Sequence, residues 1–228
     1  MTPTFILRRN AFRDNSLLLD LLTLNEGRIS AVIRYSKKHA SRIRGMLEPF
    51  RLLEASWSGR GEVFTLTHAE EKRRFPLKQE ALLQATYLNE LLLRSFQPHQ
   101  PIPELFAHYQ ALLQHLLAGA DMQAIMRFEL ELLATCGYEL NLWQDDHSGE
   151  DITAQMRYRF RPEQGLQACQ TQALSSDDTV ISGHLLLALR TPEQLSAEQA
   201  RELRRVLDRL LRLLLKGKIL YARPLLSE

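Results

Sequence analysis

Between Gly27 and Leu47 the chain carries Arg28, Arg34, Lys37, Lys38, Arg42 and Arg44 and no acidic residue. Six uncompensated positive charges on or beside one loop create a local positive potential whose natural partner is a polyanion. Contact with nucleic-acid phosphates would release counterions, so binding would weaken steeply with salt. Tyr35 sits inside the same stretch. A ring exposed there could stack on any base, which suits binding without sequence preference. Phe12 and Trp57 border turns and read as core, the usual place for aromatics in a small barrel. A solvated basic loop, or a surface for an acidic protein, is the alternative at this level.

Covalent chemistry has little to work with. His108 and His115 are seven residues apart on one expected helix. That is about 10 Å along its axis, too far to share a metal ion. His147 follows Asp145-Asp146 in what reads as a solvated acidic loop, and Asp177-Asp178 lie in polar turns. No His-Glu-x-x-His, Gly-x-Ser-x-Gly or phosphate-cradling Gly-rich loop occurs. Gly59-Arg60-Gly61 is a turn with no helix start after it. The two cysteines, Cys136 and Cys169, are far apart and form no Cys-x-x-Cys pair. The expectation is no catalytic residue, no cofactor and no metal site, and hence no enzyme.

The elements that carry the basic stretch read as strands. Thr4 to Phe12, Ser16 to Leu24, Arg28 to Arg34, Phe50 to Trp57 and Glu62 to Thr67 are five runs bounded by turn signals. Asn25-Glu26-Gly27 has the composition of a hairpin turn with glycine at positive φ. The connection from Tyr35 to Leu47 is long and basic. Five short strands fit a small closed barrel of the OB type, and another small barrel nearly as well.

From Gln79 the period becomes helical. Ala81, Ala85, Leu88, Leu92 and Phe96 mark one stripe, and Leu105, Tyr109, Leu112 and Leu116 the next. A third helix runs from about Asp121 to Cys136 and stops at Gly137. A short one covers Gly183 to Leu189. The last opens with a capping-box pattern at Ser196 and Gln199 and buries Leu203, Val206, Leu207, Leu210 and Leu214. Residues 138–173 read as an irregular insertion with a small hairpin at Met156 to Phe160. The expected division is 1–78 as a barrel and 79–228 as a helical domain. Charge divides likewise: residues 1–75 hold 14 Lys and Arg against 8 Asp and Glu, a balance of +6, within a chain whose net charge is +2.

Hydrophobic residues make up 45% of the 228 and charged residues 25%, an ordinary globular balance. No apolar run approaches the roughly 20 residues that span a bilayer. The segment Met1 to Arg9 shows no charged leader before an apolar core, so a cytoplasmic location is expected. On the third helix Met122, Ile125, Met126, Phe128 and Leu132 lie near Arg127. Apolar surface beside a guanidinium could capture a peptide ending in a carboxylate. The plainer reading is a core helix with one exposed arginine.

Several of these motifs stand in a telling order. Ser16-Leu17-Leu18-Leu19-Asp20, Gly27-Arg28, Arg42-Ile43-Arg44-Gly45 leading to Pro49-Phe50, and Ser58-Gly59-Arg60-Gly61-Glu62 resemble the N-terminal domain of RecO proteins in order and spacing. Tyr87-Leu88-Asn89-Glu90-Leu91 resembles the start of that family's helical domain. Arg127-Phe128-Glu129-Leu130 followed by Gly137-Tyr138 resembles its central helix and helix stop. The likeness covers most of the chain.

The resemblance implies an α+β fold: an N-terminal OB-fold β-barrel, then a mainly α-helical C-terminal domain with a small irregular β insertion. It implies DNA repair and homologous recombination, with binding of single- and double-stranded DNA and annealing of complementary strands. RecR and the C-terminal tail of the single-stranded DNA-binding protein are the implied partners, RecA is reached indirectly, and no membrane is involved. The implied setting is the nucleoid. Arg127 is the residue carried over for the tail. Three departures matter. Many members hold zinc with four cysteines in the insertion, where this chain has only Cys169, so no zinc is expected. The tail-binding helix often begins with two arginines, but here Met126 precedes Arg127. The family also often has glycine where Tyr35 stands.

Overall fold

The computed structural model describes residues 1–36, 40–169, 178–191 and 195–226, and gives the chain as two compact units. One comprises Met1–Asp121 with Ile219–Glu228, the other Met122–Lys218.

The first unit opens with five strands: β1 (Thr2–Ala11), β2 (Ser16–Thr23), β3 (Gly27–Arg34), β4 (Arg51–Ser58) and β5 (Val63–Arg74). They close a barrel in the order β1-β2-β3-β5-β4, antiparallel except where β3 runs parallel to β5. Along β3 Gly27, Ile29 and Ala31 are buried and alternate with less buried neighbours, the period-2 pattern of a strand with one face in a core. Ile6, Leu19, Leu21, Leu53 and Leu66 fill the interior with them. The last strand extends to Arg74, beyond the Thr67 expected from the pattern, because it pairs with β4 along its whole length. The connection expected to be a loop contains a short helix, α1 (Ala40–Met46). Its Ile43 and Met46 pack against the barrel core.

Two further helices belong to this unit, α2 (Gln79–Ser95) and α3 (Pro103–His115). Every residue of the two expected stripes is buried, Ala81 to Phe96 and Leu105 to Leu116. The reason α2 and α3 stay with the barrel lies in β1. Thr4, Phe5, Ile6 and Leu7 are all buried, which alternation alone forbids unless both faces are covered. Ile6 points into the barrel core, while the Phe5 ring meets Phe106 at 5.3 Å and Tyr109 at 5.1 Å between centroids. The strand-to-helix border therefore falls near residue 78, but the compact unit runs on to Asp121.

Gly27 has φ +67, and a Cβ there would lie 1.8 Å from the carbonyl oxygen of Gln100. Only glycine permits both the turn and this close approach.

The second unit holds α4 (Met122–Thr135), a three-stranded sheet, α5 (Gly183–Ala188) and α6 (Ala197–Leu214). The sheet contains the expected hairpin, β6 (Arg157–Arg161) with β7 (Gly165–Cys169), and an unexpected third strand, β8 (Thr179–Ser182), on the other edge of β6. The capping box of α6 is present, with Ser196 accepting from the Gln199 backbone N–H and the Gln199 side chain accepting from that of Ser196. Glu129 of α4 is buried and accepts from Arg204 of α6 at 2.6 Å. Among the described residues no helix is long and apolar enough to cross a membrane.

Candidate nucleic-acid interface

OB barrels bind strands across the outer face of β2 and β3 and the loops beside it, those joining β1 to β2 and β4 to β5. The centre of that face is electrically quiet here. Asp20, 5% exposed, accepts from Arg8 Nε at 2.8 Å and from Ser30 Oγ at 3.2 Å. Arg9 pairs with Glu48, and Arg51 with Glu48 and Glu71. Lys72 pairs with Glu70, and Arg74 with Glu71. Arg8, Arg9, Arg51, Lys72 and Arg74 are thus tied to acidic partners, and the positive excess of residues 1–75 rests on the other cations.

The uncommitted cations stand at the ends of the face. Arg34 ends β3 exposed to solvent, and Arg13 is exposed in the β1–β2 turn with φ +54. The turn is held by the Phe12 N–H on the Ser16 carbonyl and the Tyr35 N–H on the Asn15 carbonyl, both 3.0 Å. Arg13 and Arg34 line one cleft of about 470 Å³, together with Asp14, Asn15, Ser16, Tyr35 and Ser36. Phe12 is 37% exposed, and the Arg13 guanidinium carbon lies 5.2 Å from its ring centroid. At the opposite end Arg60 is exposed in the β4–β5 loop, just before Val63, which pairs with Ser30. Among the described residues Arg13, Arg34 and Arg60 form no ion pair.

The six cations of the sequence cluster do not all meet. Arg28 and Arg34 lie six residues apart on one strand, about 20 Å. Arg28 is half-buried, with Nε donating to the Phe96 carbonyl at 3.3 Å. Lys37 and Lys38 lie outside the described residues, and so do the side chains of Arg42 and Arg44; the backbone of these two runs in α1. Tyr35 needs correction. It is 7% exposed and belongs to the barrel core, so its ring is no platform for a base. The exposed ring beside this cleft is Phe12, a position where the sequence predicts a core residue. Its position in the Phe12-Arg13-Asp14-Asn15 turn was the available signal, since side chains at a turn tip escape the period-2 burial of the strands. Trp57 does pack against the core, partly buried.

A second candidate site lies in the other unit. Arg127, Leu130 and Ala134 of α4, spaced three and four apart on one helix face, line a pocket of about 350 Å³. Tyr138, Leu140 and Leu142 of the following loop and Leu189 at the end of α5 complete its apolar wall. Glu131 and Glu139 lie on it as well. Arg127 is half-buried and, among the described residues, makes no ion pair. Met126 and Phe128, expected near it, are instead 3% exposed in the core, because adjacent helical residues point about 100° apart.

Two carboxylates and one thiol of the second unit are held in structural roles. Asp145, read as part of a solvated loop, is 3% exposed and accepts from the backbone N–H of His147, Ser148 and Ala168. Burial opposes its ionisation, but the hydrogen bonds led by Ala168 outweigh that and hold its pKa below the usual carboxylate range. Asp178, read as an ordinary turn carboxylate, is 4% exposed and paired with Arg161 at 3.1 Å. Burial pushes the Cys136 thiol up to about 11, so it is protonated at neutral pH and a poor nucleophile. Among the described residues no three His, Cys, Asp or Glu side chains are grouped to hold a metal ion.

Comparison with known proteins agrees with this layout. Residues 1–75 match the family model described as Recombination protein O N terminal, and residues 78–220 match Recombination protein O C terminal. The chain is 37% identical over 223 residues to the DNA repair protein RecO of Methylococcus capsulatus, covering 97% of this chain and 90% of that one. It is 37% identical to that of Cupriavidus pinatubonensis, covering 99% and 78%, and 36% identical to that of Coxiella burnetii strain RSA 331, covering 99% and 97%.

Proposed function

This chain belongs to the RecO family of non-catalytic DNA repair and recombination mediators, and on that premise we propose how its barrel and its helical part divide the work. The barrel, residues 1–78, binds single- and double-stranded DNA along the β2–β3 face. The observation that carries this is the pair Arg13 and Arg34, uncommitted at one cleft with an exposed Phe12 beside it. Lys37, Lys38, Arg42 and Arg44 supply further phosphate contacts, and Arg28 secures the strand behind them. Phosphates position the strand, and ring contacts tolerate any base. The Tyr35 ring packs in the barrel core and offers no face to a base.

The helical part, residues 79–228 with its insertion at about 138–173, recruits proteins. An acidic peptide with a free terminal carboxylate suits the α4 pocket: Arg127 meets the carboxylate and Leu130, Ala134 and Leu142 take an apolar side chain. The C-terminal tail of the single-stranded DNA-binding protein is the proposed occupant. With RecR as partner, the protein anneals complementary strands and helps RecA load onto coated DNA, in the cytoplasm at the nucleoid. No cofactor is needed for any of this.

The deciding experiment is annealing of complementary strands coated with single-stranded DNA-binding protein. Intact coat protein should permit annealing, and coat protein lacking its C-terminal tail should slow it. Equal rates with both would overturn recruitment through the tail. Failure to bind bare oligonucleotide at low salt would overturn the DNA-binding reading.

A further inference from the structure

Next in the chain to two lining residues of the α4 pocket, Leu142 and Leu189, stand Trp143 and Arg190, which form a cation–π pair. The guanidinium carbon of Arg190 lies 4.2 Å from the ring centroid of Trp143. Arg190 Nε donates to the Leu142 carbonyl at 3.0 Å. Leu142 and Leu189, the chain neighbours of Trp143 and Arg190, both line the pocket. The pair is therefore fastened to the pocket wall itself. Trp143 is 64% exposed. Among the described residues Arg190 makes no ion pair, and its two terminal amino groups make no hydrogen bond.

We propose that Arg190 and Trp143 form a second subsite of this pocket, which takes an acidic side chain upstream of the peptide's terminal carboxylate. The proposal rests on reading the pocket as a peptide site. Arg127 is the one cation that α4 brings to the pocket, and its neighbour is Met126, which is buried. A peptide carrying a terminal carboxylate and a further acidic residue needs a second cation, and Arg190, bonded to the carbonyl of the lining residue Leu142, is the candidate. Its stacking on the indole orients the guanidinium before binding, so less freedom is lost when a carboxylate docks. A rigid, amphipathic indole beside an arginine is also the composition of interface anchors.

Glu131 and Glu139 decide between peptide and nucleic acid. Both lie on the pocket. A run of phosphates would meet their carboxylates, whereas a short peptide can place its two negative charges at the two arginines and apolar atoms between them.

The test uses the full chain with Trp57→Phe, so that Trp143 is the sole indole. One probe is a short peptide with aspartates before an apolar C-terminal residue and a free carboxylate. The second has those aspartates replaced by asparagine, and the third has an amidated end. Arg190→Gln should lower affinity for the first about tenfold, the worth of one charge-assisted contact at a half-exposed site, and leave the second nearly unchanged. Trp143→Ala should reproduce part of that loss, and Trp143 emission should shift on saturation with the first peptide. Arg127→Ala should weaken both aspartate and asparagine peptides and erase the preference for a free carboxylate. Equal loss on both peptides in Arg190→Gln would mean that Arg190 only holds Leu142 in the wall, and the subsite is wrong. Unchanged affinity would also overturn it, with the pocket reading intact. If the wild type binds no peptide, or Arg127→Ala has no effect, the pocket reading fails and takes the subsite with it.

Discussion

The Tyr109 hydroxyl donates to Asn89 Oδ1 at 2.5 Å, with both residues fully enclosed. Asn89 Nδ2 in turn donates to the Leu7 carbonyl of β1 at 3.0 Å. This chain of two bonds fixes α2 and α3 against the barrel strand, at the point where a register shift between Ile6 and Arg8 interrupts the β1–β2 ladder. Burial pushes the Tyr109 pKa upward, so the hydroxyl stays a donor. Asn89→Leu removes both of these bonds from a buried site, a loss of about 2–4 kcal/mol. Urea unfolding should show a lower midpoint, and Tyr109→Phe combined with it should recover part of the loss.

Removing the cations at the cleft should change DNA binding in a recognisable way. Arg13→Ala and Arg34→Ala should each lower affinity and reduce the log-log salt slope by about 0.7 for single strands. The control is Arg8→Ala, whose guanidinium already serves Asp20, and whose slope should match the wild type. Equal slopes in all three would remove Arg13 and Arg34 from the DNA path.

Phe12→Ala should act differently. If Phe12 stacks on a base, the loss is about 1–3 kcal/mol with the salt slope unchanged. Fluorescence anisotropy at three salt concentrations separates the two patterns. A changed slope would show that Phe12 acts only by holding Arg13.

Arg127→Ala should weaken binding of the acidic tail peptide by roughly 1–3 kcal/mol. Bare-DNA affinity should stay near wild type, because Arg127 belongs to one compact unit and the barrel to the other. Titration with both ligands checks the separation. A matching fall in DNA affinity would place Arg127 on the DNA surface.

Asp145 predicts an acid limit for the second unit. Its folded pKa lies below the unfolded value because three backbone N–H groups favour the ionised form. The stabilisation is complete above the unfolded pKa of about 3.9 and is lost as pH falls through the folded value. The wild type should therefore lose stability below about pH 4 more steeply than Asp145→Asn, which starts lower and responds less. Parallel pH profiles of the two proteins would show that Asp145 does not supply this acid sensitivity.

Local pattern carried much of this structure. Alternation at 27–34, the glycine turn at Gly27 and the 3.6-residue stripes of Ala81 to Phe96 report burial on one face of a single element, and one face is all that a periodic sequence encodes. The basic cluster was legible for the same reason, as composition along a line. What the line could not express was which cations are free. Arg8 is answered by Asp20 and Arg51 by Glu71, partners 12 and 20 residues away that only strand register brings near. Arg28 and Arg34 share a stretch of sequence, yet an extended strand puts them at opposite ends of the barrel face. Tyr35 follows the last residue of β3, where period alone does not say inside or out; closure of the barrel turned it inward, and the turn at Arg13 left Phe12 outside. The α4 pocket was least visible of all. Its wall comes from three segments between Arg127 and Leu189, and no local period records a contact across some 60 residues, because such contacts are chosen by packing after the elements exist.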